Sequence, residues 1–181
     1  SSYEARAFGV KTAMSVNEAL ALCPHLKMLP PNYPLYHALS KKLKELLIKE
    51  IPLVEQYSID EFFGDVSGYI DEDEIVPFAY YLKKKIFDEL KLPISIGIAN
   101  TKYLSKLITE YAKPDGVKYV SVDNIGNFIK DIPIKEFPGI GKAFQEKLKG
   151  YGIKTLGDIK KNQKLFYSWQ KSGIDLYNRV C

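Results

Sequence analysis

Asp60 and Glu61 stand side by side in the run Tyr57-Ser58-Ile59-Asp60-Glu61, with Asp65 four residues beyond Glu61. Adjacent carboxylates repel each other, and a pair held together needs a compensating charge. A hard cation such as Mg²⁺ supplies one, taking carboxylate oxygens while leaving room for water and substrate phosphates. A solvated turn, where Asp is common, is the simpler alternative. A second constellation is Pro138-Gly139-Ile140-Gly141, followed by an amphipathic run from Lys142 to Lys149 and by Gly150-Tyr151-Gly152-Ile153. Two glycines around an apolar anchor let backbone approach an anion, and free N–H groups at a helix start face it. Lys142, Lys147, Lys149, Lys154, Lys160, Lys161 and Lys164 follow, against only Glu146 and Asp158. This helix-hairpin-helix pattern, with Gly139, Ile140, Gly141, Lys142 and Lys147 as contacts, suits a nucleic-acid backbone held without reading bases. An ordinary glycine-rich turn between helices is the alternative.

Two weaker signals stand apart. Tyr3 and Arg6 are three residues apart, hence on one helix face, where both could touch a phosphate chain. A tyrosine packed on an arginine stem is the plainer reading. Lys113, in Lys113-Pro114-Asp115-Gly116, is a solvated turn lysine unless that turn opens onto the acidic pair.

The pattern around these residues predicts the elements that must hold them. Leu35, Leu39, Leu43, Leu46 and Leu47 recur at helical spacing between Pro34 and Glu50. Strands are expected over 53–58 and 62–67, meeting at Asp60-Glu61. A helix from the acidic run Asp71–Glu74 to Leu90 follows, then a strand over 93–99. Asn100 or Thr101 caps a helix to about Tyr111, and a last strand covers 117–121. Helix, hairpin, helix, strand, helix, strand is an α+β layer, a mixed sheet with helices on one face. Past 121 the strand signals stop and short helices take over, so a boundary is expected at about 121–130.

Composition fits a soluble globular chain: 181 residues, 46% hydrophobic and 27% charged, with no apolar run long enough to span a membrane. Two cysteines, Cys23 and Cys181, do not make a disulfide framework and suit a reducing compartment. The net charge of +4 is uneven: residues 121–181 carry eleven basic and six acidic side chains, while residues 1–120 carry fifteen and sixteen. The surplus belongs to the segment with the glycine loop, as a polyanion-binding module would have it. Only Arg6 and Arg179 are arginines.

Taken together, the motifs resemble those of the Y-family translesion DNA polymerases, of the DinB/UmuC type. The matching text is Ser2-Tyr3-Glu4-Ala5-Arg6 with Gly9-Val10-Lys11 and Met14; Tyr57-Ser58-Ile59-Asp60-Glu61 with Asp65-Val66; Gly97-Ile98-Ala99 with Lys102, Leu104 and Lys106-Leu107; Lys113-Pro114-Asp115-Gly116; and Pro138-Gly139-Ile140-Gly141 with Gly152-Ile153. The resemblance implies the remainder of a fingers domain over 1–32, a partial polymerase palm over 33–120, and a small all-α helix-hairpin-helix thumb over 121–181. It implies that Asp60 and Glu61 are catalytic and hold Mg²⁺, two ions in the intact enzyme. Tyr3, Arg6 and Lys113 would grip the incoming deoxynucleoside triphosphate, and the thumb would hold primer-template DNA.

The family's first palm strand, which carries a further metal-binding aspartate, would precede Ser1, and its little finger would follow Cys181. The chain is therefore expected to be an interior fragment, inactive alone, of an error-prone polymerase serving DNA damage tolerance and the SOS response. A bacterial-type cytoplasmic setting follows, with a sliding clamp met, if at all, through segments outside these residues. Two other readings of the same residues stay open. One is a non-catalytic DNA-binding protein using the thumb; the other is a nuclease using Asp60 and Glu61.

Overall fold

Ser2 and Ser15 open the first two helices of the computed structural model, which describes residues 1–181. The Ser2 side chain accepts from the Ala5 amide and starts α1 (Tyr3–Ala7). Ser15 and Glu18 exchange side-chain and backbone hydrogen bonds in a capping box that starts α2 (Val16–Leu22). The chain divides into two units, Ser1–His37 and Ala38–Cys181. The first unit is closed by a small core of Ala5, Val10, Ala19 and Cys23, with Met14 and Leu26 against it.

α3 (Tyr33–Glu50) begins in the first unit and continues into the second, where its leucine stripe becomes core. Leu43, Leu46, Leu47 and Ile51 pack with Leu82 and Ile86 of α4 (Ile75–Leu90). Val54 of β1 (Leu53–Gln56) and Phe62 of β2 (Phe62–Asp65) lie against the same cluster. Each fully buried side chain of this kind contributes about 1.5–3 kcal/mol. β1 and β2 are antiparallel, with Leu53 opposite Asp65 and Gln56 opposite Phe62. The ladder is shorter than the expected 53–58 and 62–67, because the backbone turns early at both ends. The Tyr57 and Ser58 amides both donate to the Glu61 carbonyl, and Asp65 accepts from the Ser67 amide. The acidic run Asp71–Glu74 precedes α4 rather than forming its first turn, with Glu74 as the residue before it. One of its members, Glu72, accepts from the Tyr119 hydroxyl, and that bond lifts the phenol to about 12.

β3 (Ile96–Ile98), α5 (Lys102–Ala112) and β4 (Val117–Tyr119) form a strand–helix–strand unit. Its strands are parallel, with Ile96 opposite Val117 and Ile98 opposite Tyr119. Thr101, rather than Asn100, caps α5 by accepting from the Leu104 amide. At Gly97 a Cβ would lie 2.3 Å from the Thr109 amide and 2.4 Å from the Ser105 carbonyl. Only glycine lets β3 and α5 approach this closely. The expected single sheet is instead two two-stranded ladders, β1–β2 and β3–β4. The strands over 93–99 and 117–121 shorten accordingly, since Val120 makes a last bond to Ile98 before Ser121 begins a helix.

The rest is helical, as the loss of strand signals predicts: α6 (Val122–Ile129), α7 (Lys142–Gly150), α8 (Leu156–Lys161), α9 (Gln163–Ser168) and α10 (Gln170–Val180). Leu148, Leu156, Ile159, Phe166 and Val180 form its core, and Leu104, Leu107 and Ile108 of α5 belong to the same cluster. Apolar packing thus continues across residue 121. No helix is long and apolar enough to cross a membrane.

Candidate active site and nucleic-acid interface

The acidic pair sits at the tip of the β1–β2 hairpin, between Gln56 of β1 and Phe62 of β2. Ser58 organises the tip. Its hydroxyl donates to Asp60 Oδ1 at 2.7 Å and accepts from the Glu61 amide at 3.1 Å. Behind it, the Gln56 amide group donates to Ser40 Oγ at 3.1 Å and to the Ser58 carbonyl at 3.2 Å, fastening the tip to α3. Asp60 is exposed and is held by a neutral hydroxyl. Glu61 is paired: Lys106 Nζ on α5 lies 2.7 Å from its Oε2. Lys106 also stands 4.5 Å from the centre of the Tyr57 ring. One turn earlier on α5, Lys102 pairs with Glu55 of β1 and lies near the Phe63 ring. Asp65 bonds Ser67, which holds its carboxyl below the usual range.

No group of three or more His, Cys, Asp or Glu side chains is gathered as a metal cage. The hairpin offers two adjacent, solvent-reachable carboxylates. That donor set suits a hard cation that takes its other ligands from water or phosphate oxygens, and Mg²⁺ is such an ion. It does not suit zinc, which takes nitrogen and sulfur ligands in a closed tetrahedron.

Of the other predicted nucleotide contacts, Lys113 pairs with Glu110 at 2.6 Å, and its turn is held by an ion pair between Asp115 and Lys83 at 2.8 Å. No hydrogen bond or ion pair joins Lys113 to Asp60 or Glu61. Tyr3 and Arg6 lie in the N-terminal unit on exposed faces of α1. The Arg6 guanidinium stands 5.2 Å from the Tyr3 ring centre, and its Nε donates to the Ser1 carbonyl. The tyrosine–arginine packing is therefore present, with both side chains open to solvent.

The glycine loop works through its backbone. Gly139 has φ +88°, a left-handed conformation that carries a steric cost for any side chain, and a Cβ there or at Gly141 would meet nothing within 4 Å. The loop's outer surface is thus bare backbone. Ile140 is 6% exposed and anchors the loop, and its carbonyl accepts from the Gln145 side chain at 2.9 Å. Gly141 precedes α7 without any side-chain cap, so the Lys142 and Ala143 amides at the helix start have no internal partner. These are free donors for an anion, beside the Lys142 side chain. Lys147 is differently placed: its Nζ lies 4.0 Å from the Trp169 ring centre and 5.8 Å from that of Phe144. The sequence does not announce Lys102 and Lys106 as partners of the hairpin acids. Their i, i+4 spacing on one face of α5 is the signal that could have found them.

The impB/mucB/samB family model matches residues 1–110, and the HHH motif model of the same IMS family matches residues 122–153. DNA polymerase IV of Actinobacillus pleuropneumoniae serotype 3 is 38% identical over 166 residues, covering 91% of this chain and 47% of that protein. The crystal structure of DinB from Sulfolobus solfataricus superposes with a TM-score of 0.83 at 29% identity, covering 98% of this chain and 53% of that one. The insertion ternary complex of Dbh DNA polymerase gives 0.85 at 29% identity, with the same coverage. The chain spans about half the length of the curated relatives it matches. An acidic hairpin in an α+β frame, a glycine loop opening a helix, and family models that match over both place this chain in the impB/mucB/samB family, the Y-family DNA polymerases.

Proposed function

We propose that this chain is a fragment, inactive alone, of a translesion DNA polymerase that adds deoxynucleotides to a primer by metal-assisted phosphoryl transfer. The observation that carries the reading is the pair Asp60 and Glu61, the first exposed and the second half-buried, at a hairpin tip within the region the family model matches. In this reading residues 1–32 belong to the fingers, 33–120 to the palm and 121–181 to the thumb. Asp60 and Glu61 hold divalent cations, two Mg²⁺ in the intact enzyme, which supply charge neutralisation for the transferring phosphoryl group. Both carboxylates would hold these cations, Asp60 serving the two of them and Glu61 the one that would activate the primer 3′-OH. Phosphoryl transfer asks little of other side chains beyond positioning.

Tyr3 and Arg6 suit the triphosphate, because an exposed guanidinium backed by a ring presents a bidentate fork to phosphate oxygens. Lys113, released from Glu110, is a further triphosphate contact in this reading. The thumb loop, Gly139 to Gly141, holds the DNA backbone with the free amides opening α7, and Lys142 and Lys147 add charge. The relative crystallised as an insertion ternary complex of Dbh DNA polymerase is named for the same kind of assembly. A sliding clamp, where one takes part, would bind outside these residues.

The test is primer extension by the intact protein containing this chain, with Mg²⁺, alongside DNA binding. Asp60→Ala is expected to reduce incorporation to background while leaving DNA affinity nearly unchanged. Retained turnover in that variant sinks the assignment. Shortening of a labelled strand in place of extension would favour the nuclease reading of the same carboxylates.

A further inference from the structure

Lys106 belongs to no role assigned above, yet it makes the one ion pair at the acidic tip. Its side chain is 28% exposed and that of Glu61 42%, so the pair is neither sealed in the interior nor fully solvated. The ammonium has two partners, the Glu61 carboxylate at 2.7 Å and the Tyr57 ring face at 4.5 Å. Lys102, one turn away, ties Glu55 to the same helix. α5 therefore grips the hairpin through two lysines, one on the body of a strand and one at the tip.

We propose that Lys106 is a positioning residue for Glu61: its ammonium stands in for a divalent cation at the hairpin tip and gives up the carboxylate when one binds. The inference rests on the reading of Asp60 and Glu61 as cation ligands. Without a counter-charge, Asp60 and Glu61 would turn away from each other into solvent. With Lys106 in place, Glu61 stays on the tip in the cation-free state. A half-exposed ion pair is weak enough to be displaced by a divalent ion, which attracts both carboxylates at once. The Tyr57 ring gives the released ammonium a place to remain. Lys102 keeps its hold on Glu55 throughout, so the hairpin does not shift with the exchange.

The prediction has a sign opposite to that of a residue that merely supports the fold. Removing the competing charge should tighten cation binding. Mn²⁺ binding, followed by the electron paramagnetic resonance of the free ion at low salt, is measured for the protein and its variants. Lys106→Gln is expected to bind about fivefold more tightly than the parent, the scale set by one partly exposed pair. Lys106→Arg should return to the parent value, Lys102→Gln should change it less than twofold, and the Lys106 effect should shrink at high salt. In the parent protein, Mg²⁺ should also shift the NMR signal of the Lys106 ammonium and leave that of Lys102 in place, a readout needing no variant.

Equal or weaker binding by Lys106→Gln overturns the inference, as does an equal gain in Lys102→Gln, which would mean a general field and not a specific pair. Asp60→Asn separates the two levels. If it abolishes binding by the parent while Lys106→Gln changes nothing, the cation site stands and the role of Lys106 falls. If the parent binds no Mn²⁺, or Asp60→Asn binds as the parent does, the cation reading fails and the inference falls with it.

Discussion

At the hairpin tip the candidate functional atoms belong to side chains; at the glycine loop they belong to the backbone. Asp60 and Glu61 are held by Ser58 and Lys106, groups that can let go. Gly139 and Gly141 are held by Ile140, which is buried and cannot. The first region can exchange partners, as the proposed cation site requires. The second keeps one shape, as the proposed hold on a repeating, charged backbone requires. One substitution of a carboxylate should erase the chemistry at the tip, whereas the loop should be insensitive to any single charge and sensitive to backbone geometry.

The two regions share a support, and the largest expected effect comes from disturbing it. α5 carries Lys106 to the hairpin on one side and Leu104, Leu107 and Ile108 into the helical core on the other. Gly97→Ala drives a Cβ into the Thr109 amide and the Ser105 carbonyl, backbone atoms that cannot swing aside. A loss of about 3 kcal/mol is expected, at the upper end for overpacking. Chemical denaturation measures it, and a loss below about 1 kcal/mol would show that β3 and α5 can separate freely.

Gly139→Val should cost about 1–2 kcal/mol, because a β-branched residue is forced to a positive φ. It should weaken DNA binding equally for all sequences, in a filter-binding or anisotropy assay. A loss restricted to one sequence would break the claim that the loop holds backbone. Lys142→Ala combined with Lys147→Ala should flatten the salt dependence of binding by a slope of about 2, near 0.9 per lost phosphate contact. The stacking of Lys147 on Trp169 sharpens this. A slope change of about 1 would assign the phosphate contact to Lys142 alone, leaving Lys147 as a clasp between α7 and the turn that joins α9 to α10.

The smallest effect concerns neither region. Lys85 bonds Glu50 at 2.8 Å and holds its carboxyl below the ordinary value of 4.5. A lowered folded pKa stabilises the protein above the unfolded value, and that stability is lost as pH falls through the folded one. Glu50→Gln should therefore cost about 0.5 kcal/mol at neutral pH. The deficit should close on acidification, which thermal melts at pH 7 and pH 3 would reveal.

Much of this was legible in the residues themselves. The leucine stripe of α3 from Leu43 to Leu47, the Thr101 cap and the hairpin around Asp60-Glu61 follow from local chemistry and are present, while Leu35 at the start of the stripe is exposed. The glycine loop and α7 lie where Pro138 to Lys149 indicated. What local pattern could not give is pairing between distant elements. The strands formed two separate ladders instead of one layer, because strand order depends on which backbone edges meet and not on alternation. The Lys106–Glu61 and Lys147–Trp169 contacts join residues on different elements. In the sequence each is one lysine among many. The sequence places Gly97 in a strand, and only the closeness of α5 shows that no side chain fits there.

The most direct measurement compares Asp60→Ala with Gly139→Val in the intact protein, recording DNA affinity and primer extension at saturating DNA for each. The account predicts a crossed result. Asp60→Ala binds DNA nearly as the parent does and extends nothing, while Gly139→Val binds weakly and recovers extension once DNA is saturating. Extension by Asp60→Ala at a rate near the parent's would contradict it.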